Sequence, residues 1–317
     1  LEEESANREG SPNAGDGTSQ GQTEEFQAYD RPSLIDSRRT PLFAAENSAR
    51  YERQNLMSEY QELTGANLIT VIDQIYQTNM TVLEELLGDC DKSKDLHVIL
   101  SSPGGDGETA LRMVRAMHSY CRRLTIIVPD MAKSAATILC LGADRILMGP
   151  SGDLGPIDPQ MILSNSPSGS GMASAKEIVA AVDEAEQRVN ANPNSFALFS
   201  SLLSDVNMLM IEQARSALNR SESLMRESLA SLPERSADEV DALSDSLKAP
   251  LIDNPSSHSA VVSADDAIGF GLPVEKTDIE GREWRLIWAL WTRYFAMGCF
   301  PRGRQAIYEG VRASHVG

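Results

Sequence analysis

The sequence predicts an α/β fold, and three observations carry that prediction. Short apolar runs, Leu96–Leu100, Leu124–Val128 and Arg145–Met148, have strand length and are bounded by Gly, Pro or polar residues. The first empties into Ser101-Ser102-Pro103-Gly104-Gly105, a turn in which Gly-Gly permits positive φ and close approach of another group. Between the runs, Leu111, Val114, Met117 and His118 recur at helical spacing, and small residues around Ser134 open a second helix. The unit reads strand, Gly-Gly turn, helix, strand, serine, helix, strand.

The other elements follow in chain order. Residues 1–36 are rich in Ser, Gly, Asn, Glu and Gln with almost no apolar periodicity, and are expected to form a disordered acidic head. A helix is expected from about Ala45 to Thr64, then a strand over Leu68–Ile72 and a helix carrying Val82, Leu83, Leu86 and Leu87. After a Ser/Gly loop at Leu163–Gly171, two or three helices hold Ile178, Val179 and Val182, then Leu202, Leu203, Val206, Leu209 and Met210. Ser231–Pro250 reads as a mobile acidic connection or a short helix, and Val261–Val274 as a closing helix then strand. Trp284, Trp288, Trp291 and Phe295 form one stripe of a helix in a basic tail. The stripe is expected to pack on its own domain or a sister subunit, with membrane-surface contact as the other reading. The expected organisation is thus a head (1–36), one α/β domain (37–280) and a Trp-rich basic helical tail (281–317).

Composition narrows the class. Hydrophobic residues at 41% and charged residues at 23% are ordinary for a soluble globular chain. No run of eighteen or more apolar residues occurs, so no transmembrane helix is expected. The acidic start lacks the features of a signal peptide, and a first residue Leu reads as a trimmed or partial chain. A net charge of −18 argues against a nucleic-acid surface. Four cysteines lie far apart with no CxxC pair, and the histidines do not cluster. Neither a disulfide framework nor a metal site nor any cofactor is expected, and the reducing cytoplasm is the expected compartment.

The chemistry centres on Lys133-Ser134-Ala135-Ala136-Thr137. A serine opening a helix lies beside backbone N–H groups without intrahelical partners. A Gly-Gly turn from the neighbouring strand can supply another donor from the opposite side, and two such donors form an oxyanion hole. Against this stands the ordinary use of a serine before an Ala run as an N-cap.

Ser102-Pro103-Gly104-Gly105, Ser134-Ala135-Ala136-Thr137, Ala143-Asp144-Arg145-Ile146 and Leu154-Gly155-Pro156-Ile157-Asp158-Pro159-Gln160 together resemble the Clp-peptidase/crotonase superfamily. Within it they are similar to the serine dehydrogenase proteinases, relatives of Clp-type peptidases and signal peptide peptidase A. Pro41-Leu42-Phe43 and Arg50–Gln54 upstream, and Ser257-His258, Ala264–Ala267 and Gly271–Val274 downstream, extend the resemblance over about Arg38–Lys276 with a divergent middle. It implies an α/β superhelix of repeated ββα units with a helical insertion. It also implies a serine peptidase acting through an acyl-enzyme on Ser134, with Gly105 and Ala135 as the oxyanion-hole donors. A peptide or protein substrate and a homo-oligomeric assembly are the partners it implies.

Ser134 needs a base, since a free hydroxyl is a poor nucleophile. Of four histidines, His97 lies in a strand run, His118 ends a helix face, and His315 sits in the last three residues and is expected to be mobile. His258 lies in a polar loop where the resembled family keeps a histidine. Asp158, 24 residues after Ser134, occupies the place where Clp-type peptidases carry their histidine, and would orient His258. The order Ser134, Asp158, His258 departs from the Ser, His, Asp order of those relatives, and Asp158 before Pro159 is also ordinary turn chemistry. Asp153 is a second, less favoured acid. Lys176, 42 residues after Ser134, is the alternative base, by a spacing similar to Ser–Lys dyads of signal-peptide-peptidase-like relatives. Lys133, charged where Clp-type peptidases carry a small residue, points away if Ser134 opens a helix. Two other classes compete: a crotonase-like acyl-thioester enzyme, and a catalytically silent scaffold of the same fold.

Overall fold

The computed structural model describes residues 40–163, 171–253, 257 and 260–317; the expected head at 1–36 and His258 lie outside the described residues. In chain order, α1 (Pro41–Glu46) and α2 (Ser48–Thr64) lead into β1 (Asn67–Ile72), α3 (Asn79–Gly88), β2 (Leu96–Ser101), α4 (Gly107–His118) and β3 (Leu124–Val128). Then come β4 (Met131–Ala132), α5 (Ala135–Leu141), β5 (Arg145–Met148) and β6 (Asp153–Leu154). The insertion comprises β7 (Gln160–Leu163), β8 (Gly171–Ser174), α6 (Ala175–Ala191), α7 (Phe196–Leu202) and α8 (Met208–Leu229). The chain closes with α9 (Ala237–Lys248), α10 (Ala264–Gly269), β9 (Val274–Lys276), α11 (Arg282–Met297), β10 (Ile307–Gly310) and β11 (Ser314–Val316).

Strands β1, β2, β3, β5 and β9 run parallel, and β10 and β11 extend the sheet antiparallel beyond β1. Every residue of β1, β2 and β3 is buried, as parallel strands covered on both faces require. Alternate side chains divide between two cores. Ile69, Val71, Val98, Leu100, Ile126, Val128 and Ile146 pack against Leu83 and Leu87 of α3, Leu111 and Val114 of α4, Leu139 of α5 and Met225 of α8. Leu68, Ile72, Ile99, Ile127 and Leu147 pack on the other face against Met57 and Tyr60 of α2 and Ile287, Leu290 and Tyr294 of α11. Each such fully buried side chain stabilises the fold by about 1.5–3 kcal/mol.

A second, smaller ladder runs off the ends of the main strands. Ala132 bridges Ser102 and Leu154 bridges Val262, while β4 pairs with β6. Main strand, short strand and helix therefore recur as ββα units, the Clp-peptidase/crotonase-like arrangement. Ser102 N–H donates to Met131 O at 3.0 Å and Lys133 N–H to Ser102 O at 3.0 Å, which fixes the chain on either side of Ser134.

Residues 281–317 are not an appended tail: α11 covers a sheet face, and β10 pairs with β1 through Ile69↔Gly310 and Ile72↔Ile307. Sequence periodicity showed the helix but not the two short strands after it. The aromatic stripe divides, with Trp284 and Trp291 buried and Trp288 and Phe295 exposed at 42% and 40%. Trp284 fits against Gly149, where an added Cβ would come within 2.4 Å of the indole. A buried Arg53–Glu309 pair, at 2.7 and 2.8 Å, locks α2 to β10, and Tyr294 Oη donates to the same carboxylate at 2.8 Å. His315, expected to be mobile, is held in β11 with Nε2 2.9 Å from the Glu85 carboxylate. Ser231–Pro250 resolves into a capped helix: Glu239 accepts from Ser236 N–H at 2.8 Å.

Candidate active site

Ser134 stands between β4 and α5 with φ 51° and ψ −117°, and among the described residues it is the one non-glycine at positive φ. That conformation costs about 1–3 kcal/mol and persists only where the surroundings impose it. Its hydroxyl makes no capping bond to α5, so the N-cap use is not the one adopted. Thr137 secures the helix behind it: Oγ1 lies 2.8 Å from both Ala132 O and Gly155 O and accepts from Gly155 N–H at 3.1 Å.

The Gly-Gly turn lies directly against this serine. Gly104 and Gly105 have φ of 105° and 141°, and a Cβ on Gly104 would stand 2.6 Å from Ser134 Cβ and 2.8 Å from Lys133 O. A Cβ on Gly105 would meet Ile75 O at 2.2 Å. The turn is clamped by Ile75 N–H to Gly104 O at 2.8 Å, Asp106 N–H to Ile75 O at 2.9 Å, and Gly104 N–H to Ser102 Oγ at 3.1 Å. Asp106 then caps α4, accepting from Thr109 N–H at 3.1 Å. Gly105 and Ala135 line the same cleft as Ser134, and among the described residues the N–H of neither donates a hydrogen bond.

The cleft measures about 840 Å³. Ile138, Ile157 and Leu224 give it an apolar floor, and Asp73, Gln74 and Tyr76 after β1 form one side. Phe300, Arg304 and Gln305, from the loop between α11 and β10, form another. Arg220 of α8 crosses to Glu108 of α4 at 2.6 and 2.7 Å. Neither the C-terminal loop nor the Arg220–Glu108 pair was legible in the sequence. Both join segments far apart in the chain, with no motif to mark them.

Lys133 turns away from the cleft. Its ammonium lies 2.8 Å from the Asp153 carboxylate and donates to Leu154 O at 3.2 Å and Ala260 O at 3.3 Å. Asp153 is thus this lysine's partner, and burial pushes its carboxyl up while Lys133 opposes the shift. Asp158 is fully buried and accepts from Ser174 Oγ at 2.8 Å and Gln160 Nε2 at 3.2 Å. Its neighbours Ile157, Pro159 and Gln160 line the cleft. Lys176 is half-buried on the first turn of α6, two residues after Ser174. Ala260 N–H donates to Ser257 O at 3.0 Å and Ala260 O receives the Lys133 ammonium at 3.3 Å. His97 is packed under α2 with Nδ1 2.7 Å from Tyr60 Oη, and His118 Nε2 lies 2.7 Å from Gly142 O; neither lines the cleft.

Residues 48–190 match the family described as ClpP-like SDH-type serine proteinase. Two uncharacterized proteins of Methanocaldococcus jannaschii are similar over shorter stretches. One is 33% identical over 93 residues, 29% of this chain and 29% of that protein. The other is 30% identical over 66 residues, 21% of this chain and 23% of that protein. The chain therefore spans less than a third of the length of either relative. Among solved structures, two mutants of a membrane-bound stomatin-specific protease, one in complex with a substrate peptide, are 16% identical with TM-scores of 0.39 and 0.38. They cover 67% and 68% of this chain, and 79% and 78% of theirs. Among the described residues no helix is long and apolar enough to cross a membrane.

Proposed function

We propose, from the match of residues 48–190 to the family described as ClpP-like SDH-type serine proteinase, that this chain hydrolyses peptide bonds through an acyl-enzyme on Ser134. One observation carries the reading: a serine held at φ 51°, its hydroxyl unspent on capping, with the Gly104–Gly105 turn in contact with it. Ser134 Oγ adds to the scissile carbonyl while the base takes its proton. The resulting oxyanion accepts from Gly105 and Ala135 N–H, each such donor contributing roughly 3–4 kcal/mol to transition-state stabilisation. The C–N bond breaks as the base returns the proton to the leaving amine, and water repeats the sequence to release the acyl group.

His258 is the proposed base, with Asp158 orienting it. Support comes from the flanking residue Ala260, whose carbonyl receives the ammonium of Lys133, the residue before the nucleophile. The second reading makes Lys176 the base, and the Asp158–Ser174 bond that anchors the start of α6 favours it. A fluorophosphonate probe should label the wild-type chain at Ser134 and leave Ser134→Ala unlabelled. Equal labelling of both, or none of a folded wild type, removes the hydrolase reading in favour of the acyl-thioester or silent alternatives.

A further inference from the structure

The cleft holds a cation that peptide-bond chemistry at Ser134 does not use. Arg304 lines it beside Phe300 and Gln305, on a loop fixed by Gly303 N–H to Cys299 O at 3.0 Å and Gln305 N–H to Gly298 O at 3.2 Å. The other arginine of the cleft, Arg220, is saturated by Glu108 at 2.6 and 2.7 Å and by Glu227 at 2.6 Å. The remaining carboxylates are committed as well. Asp106 caps α4 through Thr109 N–H at 3.1 Å, and Asp73 accepts from Asn79 Nδ2 at 2.8 Å and Gln74 N–H at 2.7 Å. Among the described residues Arg304 has neither an ion pair nor a side-chain hydrogen bond, in a chain with 46 acidic residues against 28 basic ones. A guanidinium presents a planar fork of donors that matches a carboxylate.

We infer that Arg304 reads a carboxylate of the peptide substrate, either an acidic side chain or the free C-terminus, close to the bond that Ser134 attacks. This rests on the reading of Ser134 as nucleophile. Arg304 and Ser134 line one cleft of about 840 Å³, which has room for a short peptide segment. The carboxylate therefore lies within a few positions of the scissile bond. Arg304 is outside residues 48–190, so this selectivity belongs to the C-terminal segment of the chain and not to its family-matched region.

The test measures binding to the full chain carrying Ser134→Ala. Fluorescent hexapeptides differ only by Asp or Asn at each position in turn, each with a free or an amidated C-terminus. One carboxylate-bearing peptide should bind about tenfold tighter than its neutral twin. The gap should shrink with added salt, close in Arg304→Gln, and reverse in favour of the neutral twin in Arg304→Glu. Arg312→Gln, an exposed arginine outside the cleft, should leave it unchanged. Preference for an internal Asp identifies a side chain, and preference for the free acid identifies a chain end. Absence of any carboxylate preference in a folded protein, or a preference that survives in Arg304→Gln, overturns the inference. Fluorophosphonate labelling of the unmutated chain reports separately on the nucleophile: labelling without carboxylate preference removes the role of Arg304 alone, and preference without labelling removes the role of Ser134 alone.

Discussion

Gly104 and Ser134 occupy space that two side chains cannot share: a Cβ on the glycine would stand 2.6 Å from that of the serine. The Gly104–Gly105 turn and Ser134 are thus set by one packing contact. Gly104→Ala must displace Ser134 or the Lys133 carbonyl, and is expected to lower peptidase turnover on the order of a hundredfold or more. Ser134→Gly should do the reverse to stability. It abolishes turnover and relieves the positive-φ strain, raising unfolding free energy by about 1 kcal/mol in urea titrations. A Ser134→Gly chain less stable than the wild type would show that the serine is not strained.

Loss of the base separates the two proton-transfer readings. His258→Ala is expected to reduce fluorophosphonate labelling roughly 10²–10⁴-fold, while Lys176→Ala stays within severalfold of wild type. The opposite pattern assigns the proton to Lys176.

Acid should stabilise one corner of the fold. Burial, and then the Asp153 carboxylate, push the Asp130 carboxyl above its ordinary value near 3.8, with Lys133 opposing, and among the described residues Asp130 Oδ2 has no hydrogen-bond partner. Burial also pushes Asp153 up. A carboxyl that holds its proton more tightly when folded stabilises the native state below the unfolded value, and this contribution is lost as pH rises through the raised native value. Asp130→Asn, which mimics the protonated form, should therefore be more stable than wild type at pH 7.5, with the gap closing toward pH 4. Denaturant midpoints at the two pH values measure it, and a gap that widens in acid contradicts the assignment.

Assembly is expected to use the insertion. Phe196, Leu198, Leu202, Met208 and Leu209 are exposed at 59–68% on α7 and the start of α8, an apolar surface that water does not favour. Light scattering should give a mass well above 34.5 kDa, and Leu202→Glu with Leu209→Glu should lower it toward that value. A wild-type chain at 34.5 kDa rules out self-association through this surface. Deleting residues 282–317 cannot serve as the test, because it removes a sheet-covering helix and two strands.

Local patterns made the centre of the molecule legible in the sequence. Continuous apolar runs marked β2 and β3 because parallel strands are buried on both faces, and Ser102-Pro103-Gly104-Gly105 marked a turn that only glycine can make. The spacing of Trp284 and Trp291 marked α11. What stayed hidden depends on distance along the chain. Ile307–Gly310 is too short to announce a strand, and its place beside β1 is decided by Arg53, Tyr294 and Glu309 meeting in the core. Likewise no local pattern shows that the buried Asp158 carboxylate ties its loop to Ser174 at the start of α6.

The pairing of Ile69 with Gly310 also sets a timetable. A ribosome releases β1, the Gly-Gly turn and Ser134 long before the loop at Phe300–Gln305 exists, so Ser134 emerges into a cleft lacking one wall. Until β10 arrives, β1 is the open edge of a parallel sheet, able to accept any extended strand nearby. The late-made segment around β10 closes that edge and finishes the cleft in one docking event. A chain stalled before β10 would leave β1 open to other strands, and the cleft is finished only once residues 300–310 have been made.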